Sequence, residues 1–317
     1  MDLVKYAIRK LVGGIPLILG VTFVSFLLMV YFGPDMTFEM LGTNPTPEQI
    51  AEVREELGYD RPFLARYTEY LVELATLDFG LSDSSGEPVS EMLMRSIPIS
   101  LALVTPGFIL GNLLGVLLAL VAAYHRSGWI DKAIMGFSVV GMSISFLIVI
   151  IAFQILLSSS YGLNLFPVRG WNVHNFYDYV MYVTVPTLAS VFVALGYNTR
   201  FYRAVIVEEM TRDHVRTARA FGIRPGKLLY KHILKNSAIP IITRIMFSIP
   251  LVIVSGSLLI ESYFGIPGVG KVTFDAITTG DQPVLKAVVG LTAVLFVITL
   301  LLTDIMYRAV DPRVSLK

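Results

Sequence analysis

A glycine-rich segment near the C-terminal end of the chain has the spacing of a nucleotide-binding loop. Residues 265–271 read Gly-Ile-Pro-Gly-Val-Gly-Lys, which fits the pattern G-x-x-x-x-G-K. A phosphate-binding loop of this kind needs Ser or Thr at the next position, because that hydroxyl holds the magnesium ion. The next residue here is Val272, which has no hydroxyl. The segment is therefore predicted not to bind nucleotide.

Other catalytic and metal-binding patterns are missing from the sequence. Neither H-E-x-x-H nor G-x-S-x-G occurs. The chain has no cysteine, which excludes disulfides, zinc–thiolate sites and thiol nucleophiles. The histidines all fall in predicted loops: His125, His174, His214 and His232. An enzyme embedded in a membrane would need clustered His, Asp or Glu at membrane depth, so we predict no catalytic residue, no metal site and no cofactor on this chain.

The composition indicates a chain that lies mostly in a lipid bilayer. Hydrophobic residues make up 55% of the 317 residues and charged residues only 15%, against about 25% charged residues in a soluble domain. A helix that crosses the bilayer core needs about 20 mostly apolar residues. Six stretches qualify, approximately residues 11–32, 98–123, 134–157, 180–199, 239–260 and 285–307. The first is longer than the apolar region of a signal peptide and lacks an A-x-A cleavage site, so we interpret it as a retained span.

The distribution of charge predicts the orientation of these spans. Lys and Arg accumulate on the cytoplasmic side of membrane proteins, and nine of the 25 basic residues lie in residues 200–235. Further basic residues lie at both termini and in the loop with Arg126 and Lys132. The segment 33–97 is acidic, with 13 carboxylates against four arginines. Six spans with both termini in the cytoplasm place every basic region inside and the acidic segment outside.

The acidic segment contains two predicted helices. Thr46 is the expected N-cap of the first, Glu48–Leu57, with Pro47 at its first position and Gln49 close behind. The second, Pro62–Leu77, has apolar residues at helical spacing: Phe63, Tyr67, Tyr70, Leu71 and Leu74. The segment is interpreted as a small solvated cap over the ends of the spans, and the alternative is a surface that receives another protein.

A few residues inside the predicted spans point to helix contacts. Gly107, Gly111 and Gly115 are four residues apart, and this spacing lets a second helix approach closely in lipid. The polar residues noted inside the spans are Asn112, Gln154 and Asn198. Such residues are candidates for function, although an uncharged amide more often forms a hydrogen bond between helices.

The basic segment contains a short predicted amphipathic helix, from Asp213 to Phe221, which Gly222 ends. Arg212, Arg216 and Arg219 share one face by their spacing. Val215, Ala218 and Phe221 are expected on another face. Two hypotheses remain open on chemistry alone. The helix could rest on anionic lipid headgroups, or it could insert into a groove of a partner protein.

The sequence from Arg216 to Gly222, continuing through His232 and Pro240, resembles the cytoplasmic loop of binding-protein-dependent ATP-binding cassette importers. The general form of that loop is E-A-A-x-x-x-G. Ala218 and Gly222 are in register with it, whereas Arg216 and Thr217 stand in place of Glu and Ala. The form R-T-A-R-A-x-G resembles the dipeptide/oligopeptide (nickel) branch of these importers.

Other segments resemble the same branch along nearly the whole chain. They are residues 57–62 and 78–82 in the outer segment, residues 95–98 before the second span, the fifth-span exit near the outer gate with Glu261, Pro267, Gly268 and Gly270, and a C-terminal signature with Asp304, Tyr307, Asp311, Pro312 and Arg313. The chain has Gly33-Pro34-Asp35 where the branch usually has P-G-D. The resemblance supplies a second reason to set aside nucleotide binding at residues 265–271.

The resemblance implies an all-α membrane protein with about six transmembrane helices, of the type I importer permease kind, with an extracytoplasmic helical segment after the first span. Residues 1–32 would form the N-terminal interfacial segment and first span, 33–97 the outer segment, and 98–317 a five-span core with the cytoplasmic coupling loop 200–238. The residues implied in coupling to an ATPase are Asp213, Arg216, Thr217, Ala218, Arg219, Ala220, Phe221 and Gly222.

The resemblance also implies partners and a location. The chain would be a permease subunit without its own ATPase, in a prokaryotic plasma (inner) membrane. It would pair with a second, homologous permease subunit, two cytoplasmic ATPase subunits that hold ATP and magnesium, and an extracytoplasmic substrate-binding protein, with no role for nucleic acid. The expected cargo is a dipeptide or oligopeptide, with nickel or an oligosaccharide as the alternative. A secondary transporter usually carries an ionisable residue near the bilayer midplane, and the near absence of such residues from the predicted spans argues against one.

Overall fold

The computed structural model describes residues 3–33, 37, 41–42, 45–56, 58, 60–253 and 257–310. In these ranges the secondary structure is helical, apart from an isolated antiparallel bridge between Leu81 and Pro88. The helices before residue 160 are α1 (Leu3–Phe32), α2 (Pro47–Glu56), α3 (Phe63–Thr76), α4 (Val89–Tyr124), α5 (Trp129–Ser143) and α6 (Phe146–Ser158). Those after it are α7 (Phe176–Glu209), α8 (Asp213–Ala220), α9 (Pro225–Leu228), a π-helical stretch (Leu229–Leu234), α10 (Lys235–Leu251), α11 (Ser257–Phe264), α12 (Val269–Thr279) and α13 (Gln282–Val310).

Four of these helices, α1, α4, α7 and α13, are each long and apolar enough to cross a membrane. The apolar stretch predicted to cross the membrane over residues 134–157 is not a single straight helix. Helices α5 and α6 meet at an angle of 101°, because the backbone at Ile144 and Ser145 is extended, with ψ near 135° at both residues. Alone, each is about 20 Å long at 1.5 Å per residue, shorter than the roughly 30 Å bilayer core. Together, the two helices can form one broken span. The sequence does not reveal the bend, because an apolar composition does not determine the direction of a helix.

The predicted span 239–260 corresponds to α10 and α11. Helix α10 carries Pro240 and Pro250 and ends at Leu251, and residues 254–256 lie outside the described ranges. The described residues thus give four spans, or five with the bent pair. The predicted sixth crossing rests on α10 and α11 together.

Contacts between distant segments define two poles of the molecule. At the first, which we name the α3 pole, Ser100 donates to Glu261 at 2.6 Å, and Gly170 donates through its backbone to Phe264 at 2.7 Å. At the second, the α8 pole, Tyr6 and Lys10 of α1 both contact Asp304 of α13 at 2.7 Å. The regions predicted outside meet at the α3 pole, and the basic regions predicted inside meet at the α8 pole. The beginning of α1 and the end of α13 therefore share one pole.

The outer segment is anchored to the spans through α3. Its residues Tyr67, Tyr70 and Leu74 are buried, which confirms the predicted apolar face. The hydroxyl of Tyr67 donates to the backbone oxygen of Leu19, in the middle of α1, at 2.9 Å. The hydroxyl of Tyr70 donates to the backbone oxygen of Lys286 in α13, also at 2.9 Å. Helix α3 therefore lies against the sides of two spans and does more than cover their ends.

The start of α2 has the predicted cap. The backbone N–H of Thr46 donates to Gln49 Oε1 at 2.9 Å, and the backbone N–H of Gln49 donates to Thr46 Oγ1 at 3.4 Å. This reciprocal pair is a capping box, in which two otherwise unpaired N–H groups gain partners. The predicted end of this helix at Leu57 lies outside the described residues.

Helices α4 and α7 pack along a row of small residues that we name the glycine seam. The glycines of α4 are Gly107, Gly111 and Gly115, and the residues that face them on α7 are, in the same order, Ser190, Ala194 and Asn198. A Cβ atom added at any of these glycines would lie 2.8–3.0 Å from the facing Cβ. A side chain there would push the helices apart, so the glycines set how closely α4 and α7 approach.

Candidate functional site

The short helix α8 lies on the surface of the α8 pole with one face buried. Val215 is fully buried and Ala218 is 7% exposed, while Arg216 and Arg219 are exposed. The buried pair packs into a cluster of residues from the neighbouring helix ends: Ala119, Ala123, Tyr202, Ile206, Leu228, Ile233 and Ile241. Helix α8 is thus fixed to the ends of α4, α7 and α10, and its basic face is exposed.

Phe221 does not lie on the buried face, contrary to the prediction from its spacing. The last residue of α8 is Ala220, and Phe221 follows it with φ −75° and ψ 6°. The chain turns at that point, so the helical spacing that relates Val215 to Ala218 no longer applies. The Phe221 side chain is 83% exposed. It adds an apolar group to the exposed basic face of α8.

Gly222 ends α8 in the left-handed conformation, with φ +74°. The backbone N–H of Ile223 donates to the oxygen of Ala218, and that of Gly222 to the oxygen of Arg219, at 3.3 and 2.9 Å. This pair of bonds is a Schellman motif, which commonly has glycine at this position because other residues are strained there. No atom lies within 4 Å of a Cβ built on Gly222, so only the backbone conformation restricts this position.

A buried ion pair joins α5 to α7 near the same pole. Arg203 contacts Asp131 through two nitrogens, each 2.5 Å from a carboxylate oxygen. The backbone N–H of Ser127 also donates to Asp131, at 2.9 Å. Asp131 is 4% exposed. The ion pair holds the start of α5 against the second half of α7, which is the half predicted to face the cytoplasm.

The C-terminal signature residues tie three helices together at the α8 pole. Asp304 accepts from Tyr6 and Lys10 of α1. The hydroxyl of Tyr307 lies 2.6 Å from that of Thr243 on α10. Helix α13 is thereby joined to α1 and α10. The other predicted signature residues, Asp311, Pro312 and Arg313, lie outside the described ranges, as do Pro34, Asp35 and Tyr59 of the remaining matching segments.

At the α3 pole, the glycine-rich segment surrounds a buried carboxylate. Glu261 is fully buried. Its oxygens accept from the hydroxyl of Ser100 at 2.6 Å and from the backbone N–H of Lys271 at 3.0 Å. Ser100 in turn accepts from the backbone N–H of Val269 at 2.7 Å. The first turn of α12 thus binds a carboxylate of the same chain, in the way that a helix N-terminus binds a phosphate.

Two glycines of this segment allow that close approach. A Cβ atom on Gly268 would clash with the Glu261 carboxylate and the Ser100 hydroxyl, and one on Gly270 would lie 2.5 Å from the backbone nitrogen of Leu258. Pro267 stands directly before the first of them. The spacing that imitates a nucleotide-binding loop therefore has a packing explanation. Lys271 pairs with Asp275 at 2.7 Å, one turn along α12.

Replacing Gly268 by alanine is expected to destabilise this part of the protein by about 1–3 kcal/mol, the usual cost of overpacking. The added methyl group meets two side chains that hydrogen bonds hold in place. Thermal unfolding of the detergent-purified protein measures the effect as a lower Tm. Gly136→Ala is the matched control, because no atom lies within 4 Å of its Cβ. Equal Tm values for the two variants would contradict the tight fit around Glu261.

A second carboxylate joins the outer segment to the loop before α13. Asp281 is buried and accepts from the hydroxyls of Ser82 and Ser84 at 2.5 and 2.8 Å. Burial raises the pKa of Asp281, but these hydrogen bonds outweigh that effect, and the pKa is lowered. The ionised Asp281 therefore stabilises the folded state above the ordinary carboxyl pKa of about 3.9. This contribution is lost as the pH falls through the lower pKa of the folded state. For the neighbouring Asp83, burial and the charge of Asp281 raise the pKa.

A cavity of about 670 Å³ opens between α4, α5, α7 and α10. The break between α5 and α6 lines it, as does one edge of the glycine seam. The polar residues of its lining are Asn112, Ser143, Ser145, Ser190, Tyr197, Asn198, Arg244 and Ser248. The remaining lining is apolar apart from Gly107. A cavity of this size and character falls within the range of about 300–1,000 Å³ that is usual for small-molecule sites.

The intramembrane amides form hydrogen bonds between helices. Asn112 on α4 accepts from Asn198 and Tyr202 of α7, at 3.2 and 2.5 Å. Gln154 on α6 donates to the backbone oxygen of Val168 at 2.8 Å and accepts from Tyr263 of α11. The structural interpretation of these amides is thus confirmed. Asn112 and Asn198 additionally line the cavity.

Arg244 is a residue that the sequence reasoning missed. It lies within the predicted span 239–260, whereas the polar residues predicted inside the spans were the amides Asn112, Gln154 and Asn198. The predicted span 285–307 likewise contains Lys286 and Asp304. The predicted spans are therefore nearly, but not entirely, free of ionisable residues, and the mean hydropathy of a long window hides a single charge. A search for charged residues within each window could have found Arg244.

Nearly the whole length of the chain is similar to membrane components of binding-protein-dependent transport systems. Residues 111–316 match the family model "Binding-protein-dependent transport system inner membrane component", and residues 3–104 match the model of the N-terminal part of such components. The dipeptide transport system permease protein DppB of Lactococcus lactis is 35% identical, with 99% of this chain and 100% of that protein covered. The oligopeptide transport system permease protein AppB of Bacillus subtilis is 31% identical, with 98% and 99% covered.

A solved structure with a similar fold is an inward-facing MetNI methionine ABC transporter, matched with a TM-score of 0.56 at 17% sequence identity. The match covers 71% of this chain and 99% of the compared chain. At this level of identity the likeness concerns the fold alone.

Proposed function

Because this chain belongs to the family of binding-protein-dependent transport system inner membrane components, we propose that it forms half of the membrane pathway of an ATP-driven peptide importer. The observation that carries the peptide assignment is the full-length similarity to proteins named as dipeptide and oligopeptide permeases. The cavity between α4, α5, α7 and α10 supports it, because it is large enough for a small ligand and lined by hydrogen-bonding groups.

The complete transporter would contain four further components. They are a second, similar permease subunit, two ATPase subunits that bind ATP and magnesium in the cytoplasm, and a substrate-binding protein outside. The present chain would contribute no catalytic residue. ATP and peptide would then act on one two-state element, the permease pair, by favouring inward-facing or outward-facing arrangements.

The contact with an ATPase would be made by α8 and the residues after it. Arg216, Arg219 and Phe221 offer two cations and an exposed ring, while Val215 and Ala218 connect the helix to the spans. Helix-in-groove binding uses this arrangement of exposed anchors on a rigidly held helix. Asp213, Thr217, Ala220 and Gly222 complete the proposed surface.

We place the α8 pole in the cytoplasm and the α3 pole outside, from the distribution of basic residues. The sequence has no cysteine, so single cysteines can be introduced without background. We expect Glu69→Cys to react with a membrane-impermeant maleimide in intact cells, and Arg219→Cys to react only after the inner face is exposed. Both side chains are exposed, so the reverse pattern would contradict this orientation.

ATP-dependent uptake tests the proposed function directly. The chain is co-expressed with the second permease, the ATPases and the binding protein of its complex, and the complex is reconstituted into proteoliposomes. Uptake of radiolabelled dialanine that requires both ATP and the binding protein is expected. Uptake of nickel or an oligosaccharide instead of peptide would show that the cargo is one of these alternatives. Uptake driven by an ion gradient without ATP would support a secondary transporter.

A further inference from the structure

Resting on the proposed peptide cargo, we propose that Arg244 binds the C-terminal carboxylate of the peptide inside the cavity. Arg244 lies on α10, five residues into the predicted span 239–260, which is about 8 Å at 1.5 Å per residue. It is therefore within the predicted membrane-spanning segment. An ionisable residue at such a depth is costly unless it has a partner or a function.

The charge of Arg244 is not neutralised within the described part of the chain. The ion pairs found there do not include it. Its Nε atom is buried without a hydrogen-bond partner. Its guanidinium carbon lies 5.1 Å from the centre of the Phe201 ring, a cation–π contact that stabilises the side chain without neutralising it.

The lining of the cavity around Arg244 is complementary to one end of a peptide. Among the lining residues that the structure describes, Arg244 is the one charged residue. The other polar groups are hydroxyls and amides, which can pair with peptide N–H and C=O groups. A guanidinium binds a carboxylate through two parallel hydrogen bonds. The cavity thus offers a cation for the carboxylate and neutral groups for the backbone, but no anion for the ammonium end.

The surroundings of Arg244 also suit a site that must release its ligand. The residue is only partly buried, so the ion pair with a bound peptide would be weaker than one in a dry interior. Phe201 provides the guanidinium with a contact from within the chain. Transport requires binding that is selective and still reversible.

Binding of two peptides to the purified complex without its binding protein tests this assignment. The probes are radiolabelled dialanine and dialanine amide, measured by a scintillation-proximity assay. The wild-type complex is expected to bind dialanine at least tenfold more tightly than the amide. Arg244→Gln is expected to remove this difference and Arg244→Lys to retain part of it. Arg200→Gln is the matched control, since Arg200 is exposed on α7 and does not line the cavity.

Three results would overturn the assignment. One is equal binding of the two peptides by the wild-type complex. Another is an unchanged preference for the free carboxylate in Arg244→Gln. The third is loss of the second permease from the purified Arg244→Gln complex, which would show that Arg244 serves the contact with that subunit. If the wild-type complex nevertheless takes up dialanine in an ATP-dependent manner, the proposed function stands and only the role of Arg244 fails.

Discussion

Replacing Gly222 by valine is expected to abolish most transport while leaving the amount of protein in the membrane unchanged. Gly222 has φ +74°, and a residue with a β-carbon there carries a strain of roughly 1–2 kcal/mol. This strain is small beside the burial of several spans in lipid, so insertion proceeds. It is large enough to alter the Schellman turn that ends α8 and to move Arg219 and Phe221. Uptake per inserted protein and co-purification of the ATPases measure the result.

Two further variants separate the conformation of Gly222 from other effects. Gly222→Asn should retain most transport, because asparagine adopts the left-handed conformation more readily than other residues. Gly226→Val places the same side chain at a nearby glycine with ordinary φ and no atom within 4 Å of its Cβ, so it should be tolerated. If α8 instead rests on lipid, Gly222→Val should be tolerated and loss of Arg216 and Arg219 should not. Wild-type uptake by Gly222→Val would remove the coupling role from α8.

Replacing Asp131 by asparagine is expected to cost roughly 3–5 kcal/mol of stability, the usual effect of removing one member of a buried ion pair. The amide keeps the shape of the carboxylate but leaves the partly buried Arg203 without its anion. We expect a Tm several degrees lower in detergent and a weaker attachment of α5 to α7. The measurement is thermal unfolding followed by size-exclusion chromatography.

Asp275→Asn is the matched control for this prediction. Asp275 also accepts from a basic residue, Lys271, but its side chain is 55% exposed, and exposed pairs contribute only about 0–1 kcal/mol. The double variant Asp131→Ala, Arg203→Ala removes both charges. It should be more stable than the summed losses of the single variants Asp131→Ala and Arg203→Ala imply. Additive losses would mean that the two residues do not depend on each other.

The features that the sequence predicted well are those that depend on local chemistry or on lipid. The fold class is confirmed, an all-α type I importer permease. The capping box at Thr46 and the end of α8 at Gly222 need only neighbouring residues. The buried face of α3 follows from helical spacing, because burial along a helix repeats with its turns.

The features that the sequence did not predict depend on long-range geometry or on a single residue. The bend at Ile144 and Ser145 interrupts a run that is apolar on both sides, so hydropathy does not reveal it. Phe221 leaves the face of Val215 because the helix ends one residue before it. The buried partner of the glycine-rich segment is Glu261, and Ser100 reaches that site from 161 positions earlier in the chain. No local pattern relates residues so far apart.

The glycine seam has a mechanical consequence. Helices α4 and α7 are in close contact along several turns, through the three glycines of the seam and through the hydrogen bonds of Asn112 to Asn198 and Tyr202, so we expect them to move as one rigid body. Their ends at the α8 pole hold Val215 and Ala218, and their middle parts line the cavity. A displacement of α8 would therefore reach the cavity wall without bending either helix. The change of shape would then be concentrated where the backbone is already interrupted, at the joint between α5 and α6.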